Sequence, residues 1–426
     1  MQLIKNFIYN NGTLRHISQG GRVVFWEKVK KLPYRLFLTI VDYLALPFSI
    51  PIILLIRLIK PIYHIRLGYF YCGRIGHFAL DTSMTAVSID KDDKGLYLFY
   101  FLPNISNKQW AKMVKRELNV YYWVRLLAFA NLIIPGGKNH TFIPGVHQEY
   151  GSRDIKGLMY HSDYEFKFTD HEVKFVKDWL KEKGWKEGEK IICLQVRDNQ
   201  FLPTKNWAYH DYRNSDINTY NSAMELLAKK GYWVFRMGKV MKEPINTSNS
   251  QIIDFAFDKH KNDLIDVWLF ANCELCITTG SGPDAISNAY RRPLLQINML
   301  PLTKIESFSN VMYMPKKLYW KKTGLLLTLR EYCENDFMFS QDYDSHDIEV
   351  VSLSPEEITA AVLEKIEAIE GKSVETKEDK LLQNMFWETS LKIKKFSNLN
   401  IFIHPEARIS LSFIKSHPNW LIEFTT

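Results

Sequence analysis

Cysteine is scarce in this sequence, with five in 426 residues. Cys72, Cys193, Cys273, Cys276 and Cys333 do not make a disulfide framework, and most sit inside apolar runs as buried thiols do, so a reducing compartment is expected. Cys273 and Cys276 form a CxxC, but no second Cys/His pair stands at ligand spacing, which favours structural thiols over a zinc or redox site. Repeats of solenoid period and low-complexity tracts are also lacking. Charge of one sign does not dominate: 55 basic against 47 acidic residues leave +8, too diffuse for a nucleic-acid partner and compatible with an anionic substrate or anionic lipid. Two Asp-x-Asp pairs, within Asp90–Asp93 and at Asp342–Asp344, are weak metal signals. The first reads as a hairpin turn and the second as a polar loop, so no metal is expected.

An unbroken membrane span is missing as well. "LFLTIVDYLALPFSIPIILLI", Leu36 to Ile56, has nearly the required length and one charge, Asp42, but Pro47 and Pro51 interrupt it. Lys28, Lys30, Lys31 and Arg35 precede it, and Arg57 and Lys60 follow. Basic residues on both flanks fit a kinked, monotopic or re-entrant segment on an anionic membrane surface better than a simple crossing. The apolar run starts late and no small-residue cleavage site follows, so it does not read as a signal peptide.

From Ile65 onward, short apolar runs alternate with helical patterns, which predicts an α/β fold of parallel strands covered by helices. The stretch 65–84 reads as a strand, a glycine turn and a helix; further expected strands are 96–102, 119–123, 191–196, 232–237, 275–278 and 294–298, and further expected helices are 108–118, 169–183, 217–230, 263–271 and 356–370. Two such series predict two Rossmann-like domains facing a cleft, with ligands at the carboxyl ends of the strands. The expected boundaries are a membrane-associated segment 1–62, a first Rossmann-like domain 63–185, a second Rossmann-like domain 186–370 and a tail 371–426 packing back on the body.

Four strand ends carry suggestive residues. "GRIGH" supplies Gly73, Arg74, Gly76 and His77, and Asp81 follows one helical turn later. "LQVRD" places Arg197 and Asp198 where a guanidinium meets a diphosphate bidentately. "FRMGK" adds Arg236, Gly238 and Lys239. "TTGSGPD" adds Thr279, Gly280, Ser281, Gly282 and Asp284 before a helix predicted to start at Pro283. That loop is either an anion site made by backbone N–H groups at a helix start or a tight turn that binds nothing. Two roles compete for Asp284: favouring the helix dipole, or accepting hydrogen bonds from nucleotide hydroxyls. "HDYRNSDINTY", 210–220, reads as a ligand-contacting loop with Arg213, in which Ser215 or Asp216 caps the next helix.

The segment "TTGSGPDAISNAYRRPLLQIN" resembles the donor site of GT-B glycosyltransferases, lipopolysaccharide heptosyltransferases in particular, through Ser281-Gly282-Pro283 and Pro293. "LQVRD" is similar to the strand-plus-arginine element of fucosyltransferase-like enzymes, and the wider set resembles bacterial glycosyltransferases of surface-polysaccharide synthesis over roughly 69–298. The resemblance implies a nucleotide-sugar donor, used as substrate with no further cofactor, and a glycan or lipid-linked acceptor. It implies an acceptor domain over 63–185 and a nucleotide-sugar domain over 186–370, with Arg197 and Arg236 neutralising the leaving diphosphate and His77, Asp81 or Asp198 as base, while the basic-flanked apolar segment places the protein on the cytoplasmic face of the inner membrane. "GRIGH" departs from the heptosyltransferase pattern in lacking an acidic residue. The rival readings are a sugar-nucleotide epimerase on the same fold and a non-catalytic membrane-bound scaffold.

Overall fold

The computed structural model describes residues 26, 29–30, 32–90, 95–147, 151–198, 200, 208–393 and 401–421. Lys28, Lys31, the stretch 91–94 and the side chains of Arg35, Asp90 and His210 lie outside that description.

The apolar N-terminal run forms two helices, α1 (Leu32–Leu44) and α2 (Leu46–Leu58), bent by 61° at their junction. Pro47 sits in the first turn of α2, where the missing N–H costs nothing, and Pro51 lies inside the helix. No single helix among the described residues is long and apolar enough to cross a membrane.

Next come β1 (Ile65–Phe70), α3 (Ile75–Asp90), β2 (Leu96–Phe101), α4 (Lys108–Glu117) and α5 (Val124–Ile133). β1 and β2 pair in parallel with Ile65 opposite Leu96. Single bridges, Leu67 to Thr141 and Phe99 to Val120, flank them on either side. The second Rossmann-like sheet expected here is thus reduced, among the described residues, to two strands with isolated bridges. The strand expected at 119–123 is absent beyond Val120. Asn119 and Tyr121 each exchange one backbone hydrogen bond with Phe99 of β2 at 2.8 Å, but the chain then turns away: Tyr121, Tyr122 and Trp123 are exposed, and Val124, Leu127 and Ala130 bury at helical spacing instead. An aromatic run favours a strand only where a half-buried pleated surface receives it.

α6 (Asp170–Glu182) starts at a capping box of Thr169 and Glu172 and ends before Gly184, whose φ is +100°. The second series contains β3 (Ile191–Gln195), α7 (Asn221–Lys229), β4 (Trp233–Arg236), β5 (Ile252–Ile253), α8 (Asp263–Asn272), β6 (Leu275–Thr278), α9 (Asp284–Ala289), β7 (Leu294–Met299) and β8 (Val311–Pro315). α7 is shorter than the helix expected over 217–230 because Ile217–Tyr220 forms a 3-10 turn, capped by the Asp216 carboxylate. β9 (Lys317–Trp320), α10 (Leu329–Glu334), α11 (Ser340–Ser345) and β10 (Ile348–Val351) then build an antiparallel pair with its short helices. α12 (Pro355–Ile369), α13 (Lys377–Lys392), β11 (Arg408–Ile409) and α14 (Leu411–Ser416) follow.

The main sheet has the order β11-β8-β7-β6-β3-β4-β5, and every pair in it is parallel. Its central strands are buried along their whole length, which is why they read as continuous apolar runs. The chain runs outward from β3 to β5, then returns to β6 on the other side of β3, so the sheet reverses direction between β3 and β6. Phe70 and Phe99 from the first series join the same large core as this sheet, whereas Leu67 and Leu98 face a smaller core under α2 and α5. The two series therefore pack directly on one another.

Candidate functional site

At a reversal point two neighbouring loops diverge from the carboxyl ends of adjacent strands and leave a crevice for ligands. Here those loops follow β3 and β6. The Arg197 N–H donates to Thr279 Oγ1 at 2.9 Å, and the Thr279 N–H donates to the Gln195 carbonyl at 3.1 Å. Arg213 donates to the Gly280 carbonyl. Arg197 Nε donates to Asn214 Oδ1 at 3.3 Å, and Lys316 Nζ donates to the Asn214 carbonyl at 2.6 Å. Three cations, from 197, 213 and 316, thus gather around one loop junction.

Lys316 was not singled out in the sequence. It follows the apolar run of β8 directly, so the rule that picked Arg197 would also have found it. It is buried, and desolvation lowers its pKa to about 8. Beside this junction lies a cavity of about 370 Å³, lined by Val196, Asn214, Ile217, Arg236, Lys242 and Ser352 among others.

The loop after β6 differs from the expected anion site. α9 has six residues, and its preceding amides turn inward: Gly280 N–H donates to Thr278 Oγ1 at 3.1 Å, and Ser281 N–H donates to an Asp284 oxygen at 3.0 Å. The same Asp284 oxygen accepts from Thr278 Oγ1 at 2.9 Å. Asp284 is buried and holds the loop from within, rather than facing nucleotide hydroxyls. Burial pushes its pKa up to about 6. Below it, burial and then the Asp284 charge push Glu306 up to about 8, with the Asn288 amide donating to Glu306 at 2.9 Å and the Arg153 charge opposing the shift. Nothing in the local sequence pattern marks Glu306 as a partner of Asp284.

Gly282 does not open space for a ligand either. A Cβ built on Gly76 would lie 3.1 Å from the Gly282 Cα, and one on Gly282 would lie 3.3 Å from the Gly76 amide nitrogen. The two glycines are the point where α3 and the β6 loop touch, and this contact brings "GRIGH" to the reversal point. Gly280, with φ +71°, is required differently: the Met299 sulfur occupies the place of its missing Cβ. A Cβ on Gly73 would meet nothing closer than 3.6 Å, so sterics do not demand that glycine.

His77 is half-buried, with Nδ1 2.8 Å from Ser152 Oγ. Burial, then the charges of Arg74 and His147, lower its pKa. Among the described residues its Nε2 has no hydrogen-bond partner. The rings of Tyr71 and His77 lie 6.0 Å apart, and Tyr69 and His147 complete an aromatic and imidazole cluster at 5.8 Å. Asp81 is buried beneath; burial and then its charge raise the Tyr69 hydroxyl to about 12. Arg74 is exposed at the start of α3.

Two other expected residues are committed to the frame. Asp198 accepts from the Gln200 N–H at 3.0 Å with one oxygen and from the Lys242 N–H at 2.8 Å with the other, which ties two loops together. Arg236 is buried, paired with Asp254 at 3.1 Å and placed 5.4 Å from the Phe257 ring centre, so its charge is already balanced where it borders the cavity. Gly238 and Lys239 turn away: Lys261 caps both carbonyls at 3.0 Å, and Lys239 reaches the Ser106 carbonyl at 3.1 Å. All five cysteines are buried and free. Among the described residues, no group of three or more His, Cys, Asp or Glu is placed to hold a metal.

No family model matches the sequence, and no curated protein matches it. Among solved structures the chain is similar to a glycosyl transferase family 9 protein from Veillonella parvula DSM 2008, with TM-score 0.38 and 9% identity over 60% of this chain and 86% of that one. It is also similar to the E. coli ADP-heptose lipopolysaccharide heptosyltransferase II, with TM-score 0.30 and 13% identity over 55% and 84% of the two chains. For E. coli heptosyltransferase WaaC with ADP the values are 0.28 and 12%, over 59% and 91%.

Proposed function

We propose that the protein is a glycosyltransferase that moves a sugar from a nucleotide-sugar donor to a glycan or lipid-linked acceptor in bacterial surface-polysaccharide synthesis, at the cytoplasmic face of the inner membrane. The observation that carries this reading is the cluster of Arg197, Arg213 and Lys316 at the reversal point of the main sheet. Breaking the bond between the sugar and the diphosphate oxygen places negative charge on the leaving group. Preorganised cations in a partly desolvated crevice stabilise that charge more than they stabilise the bound donor. His77 is the group best placed to take the acceptor proton, because it is held neutral and the Gly76–Gly282 contact brings its helix to the same loop. In the proposed step, the acceptor oxygen bonds to the anomeric carbon, its proton passes to His77, and the nucleoside diphosphate leaves with the bonding electrons. The donor is a substrate, and the chain's own cations serve its phosphates. Residues 36–56 hold the enzyme at the bilayer where a lipid-linked acceptor would be found.

Calorimetry against a panel of nucleoside diphosphates, with turnover of the matching nucleotide-sugar measured with and without acceptor, tests the reading. Binding of one diphosphate and acceptor-dependent turnover are expected, with Arg197→Ala and Lys316→Met each losing ~100-fold in rate while remaining folded. Turnover without acceptor would indicate an epimerase, and no nucleotide binding at all would leave the scaffold reading.

A further inference from the structure

α2 is apolar all round, yet the fold covers only one side of it. Ser49, Ile53 and Ile56 are buried at helical spacing, whereas Phe48, Ile52, Leu55 and Leu58 are exposed, Phe48 and Leu58 by 76% each. α1 adds exposed Leu36, Phe37, Ile40 and Leu44. The exposed surface continues onto chain far away in sequence. Tyr121, Tyr122 and Trp123, just before α5, are exposed, with Tyr121 and Trp123 stacked at 5.5 Å, and Leu132 and Ile133 are exposed at the far end of α5.

The three helices are bolted into one layer. Asp42 pairs with Arg125, which also donates to the Leu38 carbonyl at 3.1 Å. The rings of Tyr43 and Phe129 meet edge to face at 5.2 Å. Arg57 caps the end of α5 through the carbonyls of Asn131 and Ile134, each at 3.1 Å. At that end His64 packs against the buried His140, the two imidazoles 5.1 Å apart, while Lys60 and Lys138 are exposed. Between 43 and 80, and between 118 and 147, the sequence has no acidic residue.

We infer that α1, α2, α5 and the Tyr121–Trp123 turn form one composite face that docks on an anionic phospholipid bilayer. The inference rests on the membrane-attached reading of residues 36–56 and extends it to a second, distant segment. Charge decides the occupant: a continuous apolar surface flanked by exposed Lys60 and Lys138, whose one acidic residue in α1, α2 and α5 is Asp42, buried and paired with Arg125, complements anionic headgroups, and Tyr and Trp favour the headgroup level. A second copy of the same face would set one basic rim against another.

The test is co-sedimentation of the full chain with phosphatidylglycerol–phosphatidylcholine vesicles and with pure phosphatidylcholine vesicles, alongside sedimentation equilibrium without lipid. The parent should bind the anionic vesicles more tightly. A triple Tyr121→Ser, Tyr122→Ser, Trp123→Ser variant with α1 and α2 intact should need ~10-fold more lipid. Lys60→Glu with Lys138→Glu should weaken binding to the anionic vesicles alone. Circular dichroism confirms the fold of each variant. If the aromatic variant binds as the parent does, the composite face is wrong while attachment through 36–56 stands. If the parent binds neither vesicle, attachment itself falls. A lipid-free dimer that the aromatic variant abolishes would show that a second copy covers the face and would overturn the inference.

Discussion

His77 illustrates how one side chain gains a role from its surroundings. Burial, Arg74 and His147 all push its imidazole the same way, below the ordinary value of 6.5. The ring is therefore neutral at pH 7 and protonates only in more acid solution. A base that must be neutral loses activity as pH falls through its folded-state pKa, so the acid limb of turnover should have its midpoint below about 6.5. His77→Gln should remove that limb and lower the rate ~100-fold; a limb centred above pH 7 would contradict the assignment. Asp284 runs in the opposite sense. Its folded pKa of about 6 stands above the unfolded value of about 3.9, so the folded protein holds the extra proton between those pH values. Stability should fall as pH rises through that window, and the cost should be fully present above pH ~6, with the raised Glu306 adding to it in the same sense. Asp284→Asn removes that titration. Thermal unfolding should show the variant gaining on the parent by about 2 kcal/mol between pH 4.5 and pH 7.5, and an equal difference at both pH values would argue against it. The sequence marked Arg197, Thr279 and Gly280 because each follows an apolar strand. It could not mark the commitments of Asp198 and Arg236, because Lys242 and Asp254 come from other loops and have no fixed spacing to them.

At the scale of elements, β3, β4, β6 and β7 of the main sheet were legible because burial on both faces leaves uninterrupted apolar runs bounded by polar turns, whereas the two-residue β5 and the run of β8, broken off by Pro315, were not among the expected strands. Helix starts were legible where a side chain caps them, as at Thr169. The segment 119–123 misled because only Asn119 to Tyr121 reach β2, at Phe99, before the chain turns into α5 and leaves the aromatic side chains exposed. The β6 loop misled for a related reason: its small residues serve packing and a turn, and its amides are satisfied inside the loop. Glycine requirements separate these uses. Gly280→Ala should cost about 1–3 kcal/mol, since both its φ and the Met299 sulfur oppose a Cβ. Gly76→Val should also destabilise, because the branched side chain must push α3 off the Gly282 backbone. Gly73→Ala, with open space around it, should be nearly neutral. Urea unfolding of the three variants checks the order. A neutral Gly76→Val would mean that the contact between α3 and the β6 loop is loose, and would remove the link that joins His77 to the cation cluster.

The whole molecule depends on its C-terminal stretch more than a tail packed on the body would suggest. β11 pairs with β8 and closes that edge of the main sheet, with the Ser410 N–H donating to the Tyr313 carbonyl at 2.7 Å. Gln383 of α13 clasps the same strand from the other side: its amide donates to the Ile409 carbonyl at 2.8 Å, and its carbonyl accepts from the Ile409 N–H at 3.1 Å. Phe413 and Trp420 are buried, and Trp420 stacks on Phe386 and meets Tyr332 edge to face. The sequence showed that apolar and aromatic residues resume after 377, but a two-residue strand has no period to read, so its place in the sheet was not legible. Removing residues 394–426 would bare the edge of β8, next to the strand end that presents Lys316, and would uncover the large aromatic side chains beneath. Unpaired strand edges and apolar surface promote association. The truncated chain should unfold at least ~10 °C lower than the parent and aggregate, since several large buried side chains are lost at once. Scanning calorimetry with light scattering measures both effects. A soluble truncated chain with an unchanged unfolding temperature would show that the main sheet is complete at β8, and that β11 and α14 merely lie against it.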